Sequence, residues 1–401
     1  MKIAVVGAKG IPAQQGGIEH YCQELYRDVT MQGHSVDLYA RSEYTKVDGF
    51  SSYMCNGVKV ISLPSIPFKG LDTLYNSFIA TIASTIKKYD VIHFHALGPS
   101  LFCWLPRSFS PAKIVVTCHG LDWQRSKWSK IASSIIYSGE RMAVANADKL
   151  IVVSQYLQSY FQNRYGIDST YIPTAPAEYS DSDENLAYIS SLGLEPKKYI
   201  IFLGRLVPEK RPELLLEAFK VLDPEDWKLV FVGDTSGTDD FKSKLVKGKN
   251  DKIIFTNTLT GSLLAETVRN AGLFVLPSDL EGLPLVVLEA MREGIPVLAS
   301  DIPPHKQLVG EDRGTLFKAG NLNSLVTTLQ QILSRPEELE NKAKKAKEYI
   351  KANYSWQKVS FENLVLYAKL SKLLNNKNKV EATNKVALLG DRESESPENN
   401  K

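Results

Sequence analysis

The chain lacks any apolar run of the ~18–20 residues that a membrane-spanning helix needs. Its longest apolar-looking stretch, LDTLYNSFIATIASTI at 71–86, carries Asp72, Asn76 and several hydroxyls. The amino-terminal MKIAVVGAKG is broken by glycine after a few apolar residues, short of the ~7–15 of a secretory leader core. Cysteine is scarce as well. Cys22, Cys55, Cys103 and Cys118 all fall in the first third, with no C-x-x-C pair. Reduced thiols are therefore expected rather than a disulfide framework. Neither sign of charge dominates: 48 Lys plus Arg stand against 45 Asp plus Glu, net +3. That balance is too mild to point to nucleic acid as a partner. Gly and Pro show no G-X-Y period, which excludes a fibrous chain. These absences together lead to the expectation of a cytoplasmic protein.

What is present is globular. Apolar residues make up 43% and charged residues 23% of the 401, and that length suits two domains of roughly 150–200 residues each. Short β-branched runs alternate with longer amphipathic stretches throughout. Expected strands lie at 2–7, 35–40, 59–63, 90–96, 113–119 and 149–154, then at 199–204, 228–233, 252–257, 273–278, 295–300 and 314–317. Helix-length segments such as 18–32 and 212–222 lie between most of them. Apolar strands joined through helices predict an α/β fold of parallel sheets covered on both faces. The rhythm breaks at 173–198, rich in Pro, Ser and acidic residues, which reads as a linker. The expected organisation is a first domain at 1–175, a linker at 176–196 and a second domain at 197–353. A final helix follows at 354–372, with Trp356, Val359, Phe361, Leu364 and Tyr367 as its apolar stripe. Residues 373–401 are polar and aperiodic and read as a disordered tail.

Ligands of such sheets bind outside the carboxyl ends of the strands, so a cleft between the two domains is expected. The first strand runs into GAKGIPAQQGGIEHY at 7–21, where Gly16 and Gly17 precede a helix. Glycines let backbone amides approach a ligand, and a helix start offers positive potential to an anion. A plain glycine turn packing strand on helix explains the same residues. The dinucleotide fingerprint G-x-G-x-x-G is absent, so Asp37 reads as a surface strand-end charge rather than a ribose ligand. In the second half Arg205 follows Gly204 directly and Lys210 precedes the helix that Pro212 starts. Two cations beside a helix start suit a pyrophosphate; a solvated basic loop is the alternative.

In SDLEGLPLVVLEAMREGIPVLAS (278–300), Glu281 and Glu289 stand eight residues apart. That is close to two helical turns, or one strip about 12 Å long. Glu281 falls in the glycine-containing loop, and Glu289 within a mostly apolar helix, where an unpaired carboxylate is costly. A capping acid plus an interdomain salt bridge is the competing reading. His93 and His95 alternate on one strand beside Cys118 and His119 on the next, with no further ligand at zinc spacing. They are expected in the core or lining the cleft, and His305 in a loop. Finally, residues 121–144 bring Trp123, Arg125, Lys127, Trp128 and Lys130 together ahead of an apolar helix face. Such a segment suits weak, salt-sensitive contact with an anionic bilayer, unless both tryptophans pack within a groove of the protein itself.

The strand–G-R-x-x-x-E-K pattern, followed by E-G-x-x-x-x-x-x-E-A-M, resembles the retaining glycosyltransferases of family GT4. The likeness runs from residue 1 to about 370 and includes the Tyr-Ser-Trp entry to the final helix. It implies the GT-B fold, two Rossmann-like domains facing a cleft, with the last helix crossing back to the first domain. GIPAQQGGIE together with HGLDWQRSKW (119–128) is similar to a subgroup that builds bacterial surface polysaccharides, some of them rhamnosyltransferases. Carried over by position, the resemblance implies that Arg205 and Lys210 hold the nucleotide diphosphate and that Glu289 bonds the ribose hydroxyls. Glu281, with Gly282 and Leu283, would contact the donor sugar; His119 would touch the transferred sugar; Gly16 and Gly17 would close over the phosphates. The implied reaction moves a sugar, with retention, from a nucleotide-diphosphate sugar to a carbohydrate or lipid-linked acceptor. No cofactor is expected, and no metal, since no Asp-x-Asp-type cluster is apparent in the cleft loops. Two departures stand out. Ile172-Pro173-Thr174-Ala175 replaces the family's Ile-Pro-Asn-Gly, and Gly282-Leu283-Pro284 replaces Gly-Phe-Gly, so Pro284 removes a backbone donor. A nucleotide-sugar epimerase and a catalytically silent scaffold on the same architecture are the rival readings.

Overall fold

Continuous apolar strands joined by amphipathic helices can bury both sheet faces only when helices cover them. The computed structural model shows this arrangement twice. It describes residues 1–13, 16–66, 71–126, 128–182, 185–234 and 239–372. The first sheet contains β1 (Lys2–Val6), β2 (Ser35–Arg41), β3 (Ser52–Cys55), β4 (Val58–Leu63), β5 (Val91–His95), β6 (Lys113–Cys118), β7 (Lys149–Val152) and β8 (Thr170–Tyr171), in the order β3-β4-β2-β1-β5-β6-β7-β8. The second contains β9 (Tyr199–Leu203), β10 (Lys228–Val232), β11 (Ile253–Asn257), β12 (Leu273–Leu276), β13 (Val297–Ser300) and β14 (Thr315–Phe317), in the order β11-β10-β9-β12-β13-β14. Every pairing is parallel except β3 with β4. The expected strands all form, most of them a residue or two shorter.

Strands β3 and β8 were not anticipated. β3 alternates exposed and half-buried residues, so it has no apolar run, and it pairs across the turn Asn56-Gly57, both at positive φ. The Pro- and Ser-rich linker is not irregular throughout either. It contains the helix Ala187–Ser191, whose Ile189 is buried and donates its N–H to Glu266 at 2.9 Å. Asp37 is not a surface charge. It lies early in β2, buried, and accepts a hydrogen bond from the Tyr89 hydroxyl at 2.6 Å.

The helix at 356–372 packs on the first domain. Trp356, Val359, Leu364, Leu366 and Tyr367 join the cluster built on Ile3, Val5, Tyr21 and Leu25. Polar contacts fix its register: Ser360 to Asp28 at 3.1 Å, Asn363 to Tyr21 at 3.4 Å, and Trp356 Nε1 to the Pro176 carbonyl at 3.2 Å. Phe361, expected in the buried stripe, is 64% exposed, and Leu366 fills the interface instead. The tail at 373–401 and Lys127 lie outside the described residues.

Candidate functional site between the two sheets

In each sheet one strand lies between neighbours reached in opposite directions: β1 between β2 and β5, and β9 between β10 and β12. Crossovers leave such a pair toward opposite sides and open a crevice at its carboxyl end. Gly204 and Arg205 follow β9, Ser278 to Glu281 follow β12, and His119 follows β6, next to β5. Topology alone therefore gathers these residues.

On the second domain, Lys210 Nζ meets Glu281 Oε1 at 2.7 Å, and Ser278 Oγ donates to the same oxygen at 2.8 Å. Burial pushes the Glu281 carboxyl up, but Lys210, His305 and these hydrogen bonds outweigh it, leaving the pKa below its ordinary value. Lys210 is thus not a bare cation awaiting a phosphate; it already neutralises the buried Glu281. The side chain of Arg205 makes no ion pair or hydrogen bond among the described residues. Burial, and then the neighbouring Arg125, pull its pKa below the ordinary value. His305, expected in a loop, is fully buried in the helix Pro303–Val309, with Nδ1 2.9 Å from the Ser300 carbonyl. Burial lowers its pKa to about 4, against the opposing pull of the Glu281 carboxylate.

Glu281 and Glu289 do not lie two helical turns apart. The helix Leu285–Glu293 begins only after Pro284, so Glu281 belongs to the loop before it. Glu289 Oε2 accepts from the Tyr179 hydroxyl at 2.9 Å, a residue of the linker. Burial raises the Glu289 carboxyl to about 7, against the hydrogen bonds from Tyr179 and the Ala177 backbone. Nothing in the sequence around Tyr179 marked it as a partner 110 residues away.

The first domain meets these residues closely. A Cβ on Gly282 would lie 2.0 Å from the His119 carbonyl oxygen and 3.0 Å from Gly120 Cα. Glycine is required there because two loops from opposite domains touch backbone to backbone. Leu283 beside it is buried. Gly16 caps the helix Gly17–Met31 at φ 101°, with the Glu19 carboxylate folded over it and accepting from the Lys9 N–H at 3.1 Å. Gly17 packs toward Leu285, at the start of the Glu289 helix. His119 is half-buried, stacks on His95 with ring centres 5.4 Å apart and lies edge-on to Tyr21 at 4.9 Å.

Arg125, placed by the sequence in a bilayer-facing patch, lines the cleft with Arg205, Lys210 and Glu281 and pairs with Asp122 at 2.9 Å. Trp123 donates to the buried Glu140 at 2.9 Å, and Trp128 packs against the main core. The cavity these cleft residues line holds about 40 Å³, far below the ~300–1,000 Å³ of a small-molecule site. A larger hollow of about 340 Å³ lies against the helix Pro336–Asn353 and is lined by Glu337, Glu338, Lys342 and Lys345; none of the strand-end residues reaches it. Among the described residues no cluster of three or more His, Cys, Asp or Glu could hold a metal ion, and none of the helices is long and apolar enough to cross a membrane.

Comparison with known proteins bears on the family and the fold. Residues 15–176 match the model of Glycosyltransferase Family 4, and residues 187–351 match Glycosyl transferases group 1. The chain belongs to the group 1, family 4-type glycosyltransferases. An uncharacterized glycosyltransferase of Methanocaldococcus jannaschii is 26% identical over 92% of this chain and 98% of that protein. The D-inositol 3-phosphate glycosyltransferase of Rhodococcus erythropolis is 25% identical over 94% of this chain and 92% of its own length. Among solved structures, sucrose-phosphate synthase from Thermosynechococcus elongatus superposes with a TM-score of 0.79 at 24% identity, covering 92% of this chain and 98% of that one. Anabaena HepE in complex with UDP and glucose superposes at 0.74 with 18% identity, covering 92% and 100%. The glycosyltransferase therefore has the GT-B fold.

Proposed function

We propose that this glycosyltransferase moves a sugar from a nucleotide-diphosphate sugar to a carbohydrate or lipid-linked acceptor, with retention at the anomeric carbon, in building cell-surface polysaccharide. The observation that carries the reading is Arg205, a guanidinium that makes no ion pair or hydrogen bond among the described residues, held at the carboxyl end of β9 and lining the cleft with Arg125 of the first domain. Such a cation is poised to take a phosphate oxygen of the departing diphosphate as charge develops. The Lys210–Glu281 pair beside it would lend its ammonium to the diphosphate and its carboxylate to the sugar, and Glu289 would accept the ribose hydroxyls. Gly16 and Gly17 would bring backbone amides to the phosphates, and Gly282 and Leu283 would border the sugar. No metal or other cofactor enters this scheme.

The HepE complex with UDP-glucose supports a nucleotide-sugar donor. A cavity of about 40 Å³ means the Gly120 and Gly282 loops must part to admit it, and closure over the donor would then exclude water. Contact with an anionic bilayer, for a lipid-linked acceptor, would rest on exposed Lys130 and Ile131, since the tryptophans lie inside. The test is a thermal-shift screen against UDP-, GDP- and dTDP-sugars, followed by nucleotide release with and without acceptors, D-inositol 3-phosphate included. Release that depends on an added acceptor supports transfer. A free epimerised nucleotide sugar, or no stabilisation by any donor, would remove the reading.

A further inference from the structure

Behind His119 the first domain holds a chain of imidazoles and hydroxyls that the reading above does not use. Thr117 Oγ1 lies 2.7 Å from His93 Nε2. His93 Nδ1 lies 2.6 Å from the Tyr367 hydroxyl and 2.9 Å from that of Tyr26. Tyr26 reaches His95 Nε2 at 2.7 Å, and His95 Nδ1 reaches His119 Nε2 at 3.1 Å. Thr117, His93, Tyr367, Tyr26 and His95 are all buried, so their polar atoms depend on one another. Burial pushes His93 and His119 down to about 3 and His95 well below its ordinary value, so all three rings are neutral.

A neutral imidazole has one N–H and one lone pair, and a hydroxyl has one proton. The chain therefore has a direction. If Tyr26 donates to His95 Nε2, His95 must donate from Nδ1 to His119 Nε2, and His119 keeps its own proton on Nδ1. If His95 donates to Tyr26 instead, every link reverses and His119 Nδ1 is left as a bare lone pair. Tyr367 bonds the same His93 nitrogen as Tyr26, so it takes part in setting which of these groups gives its proton and hence the direction of the whole chain. In either direction His119 is left with one tautomer.

We propose that Tyr26 and Tyr367 are positioning residues that, through His93 and His95, hold His119 in a single neutral tautomer. The ring then presents one fixed character, donor or lone pair, at Nδ1, the nitrogen the chain leaves unused. The helix that carries the polypeptide back to the first domain would thereby also set the chemistry of the cleft. This inference rests on the reading that His119 faces the donor sugar.

Histidine-selective 15N NMR of the full-length chain tests it, with the six histidines resolved and His119 assigned from the His119→Gln spectrum. The native chain should show His119 in one tautomer, with the proton wholly on Nδ1 or wholly on Nε2. Tyr26→Phe, which breaks the chain, and Tyr367→Phe, which removes its bias, should each shift His119 toward mixed tautomers. Each should lower kcat about 10-fold, as loss of an orienting partner does, with donor KM within about two-fold. Tyr21→Phe, which keeps the ring against His119 and loses only the hydroxyl near Asn363, should leave the tautomer as it is. Mixed tautomers at His119 in the native chain, an unchanged tautomer in both variants, or a shifted tautomer with native kcat would each overturn the proposal. Absence of any transfer by the native chain would instead overturn the functional reading, because the NMR result needs no donor.

Discussion

Glu289→Gln exchanges a carboxyl for a neutral group of the same shape, and the consequences depend on pH in a defined direction. The carboxyl titrates near 7 in the folded chain because it is buried, against an ordinary value of 4.5. Between those values the folded chain keeps a proton that the unfolded chain releases. Stability conferred by that proton is complete below 4.5 and is lost as pH rises through 7. At ~1.4 kcal/mol per pH unit separating the two, the ionised form costs the fold on the order of 3 kcal/mol at pH 8. Glutamine does not titrate, and its carbonyl can still accept from Tyr179. The variant should therefore melt close to the native chain at pH 5 and roughly 5–10 °C above it at pH 8, at about 2–4 °C per kcal/mol for a domain of this size. Function should move the opposite way. A carboxylate accepts ribose hydroxyls through two oxygens, so native donor KM should rise as pH falls below 7, whereas the variant should show a raised KM without that slope. Paired melting scans at the two pH values decide the matter. A melting difference identical at pH 5 and pH 8 would refute a costly charge at Glu289.

Removing Lys210 alone should be more damaging than removing its pair. Lys210→Met leaves Glu281 buried beside Ser278 and should cost about 3–5 kcal/mol, while Lys210→Met with Glu281→Gln should recover most of that in thermal melts. Arg205→Ala should weaken donor binding by about 10- to 100-fold, measured by calorimetry, without changing the melting temperature, because the lost contact is charge-assisted and faces the cleft. Gly282→Ala places a methyl 2.0 Å from the His119 carbonyl and should hold the domains apart; kcat should fall while far-UV circular dichroism stays native. Unaltered turnover would mean that the domains need not close to this degree.

Local pattern decided most of the framework. Runs such as KIAVV and YIIFL are apolar at every position, which only a sheet covered on both faces can bury. Gly204-Arg205 and the Glu281–Glu289 segment were legible because each sits at a strand end, and strand ends are where chain order forces a crevice. What the sequence could not show was who pairs with whom. Lys210 meets Glu281 across 71 residues, and Glu289 meets Tyr179 across 110. Neither pair has a local spacing signal, and each turns an apparently free charge into a satisfied one.

Arg125 misled for a related reason. Side-chain direction in a loop follows from what the loop packs against, so an arginine within a basic aromatic run that suits a bilayer in one dimension lines the cleft in three. Local sequence is enough for two doubly wound sheets, the strand ends that face each other and the residue types available there. Packing between elements settles which of those charges stay unpaired, how closely Gly282 rides on His119, and that a helix from the far end of the chain reaches the imidazoles behind it. Periodicity encodes burial along one element, whereas electrostatic pairing and close backbone contact depend on distances between elements, which no local pattern contains.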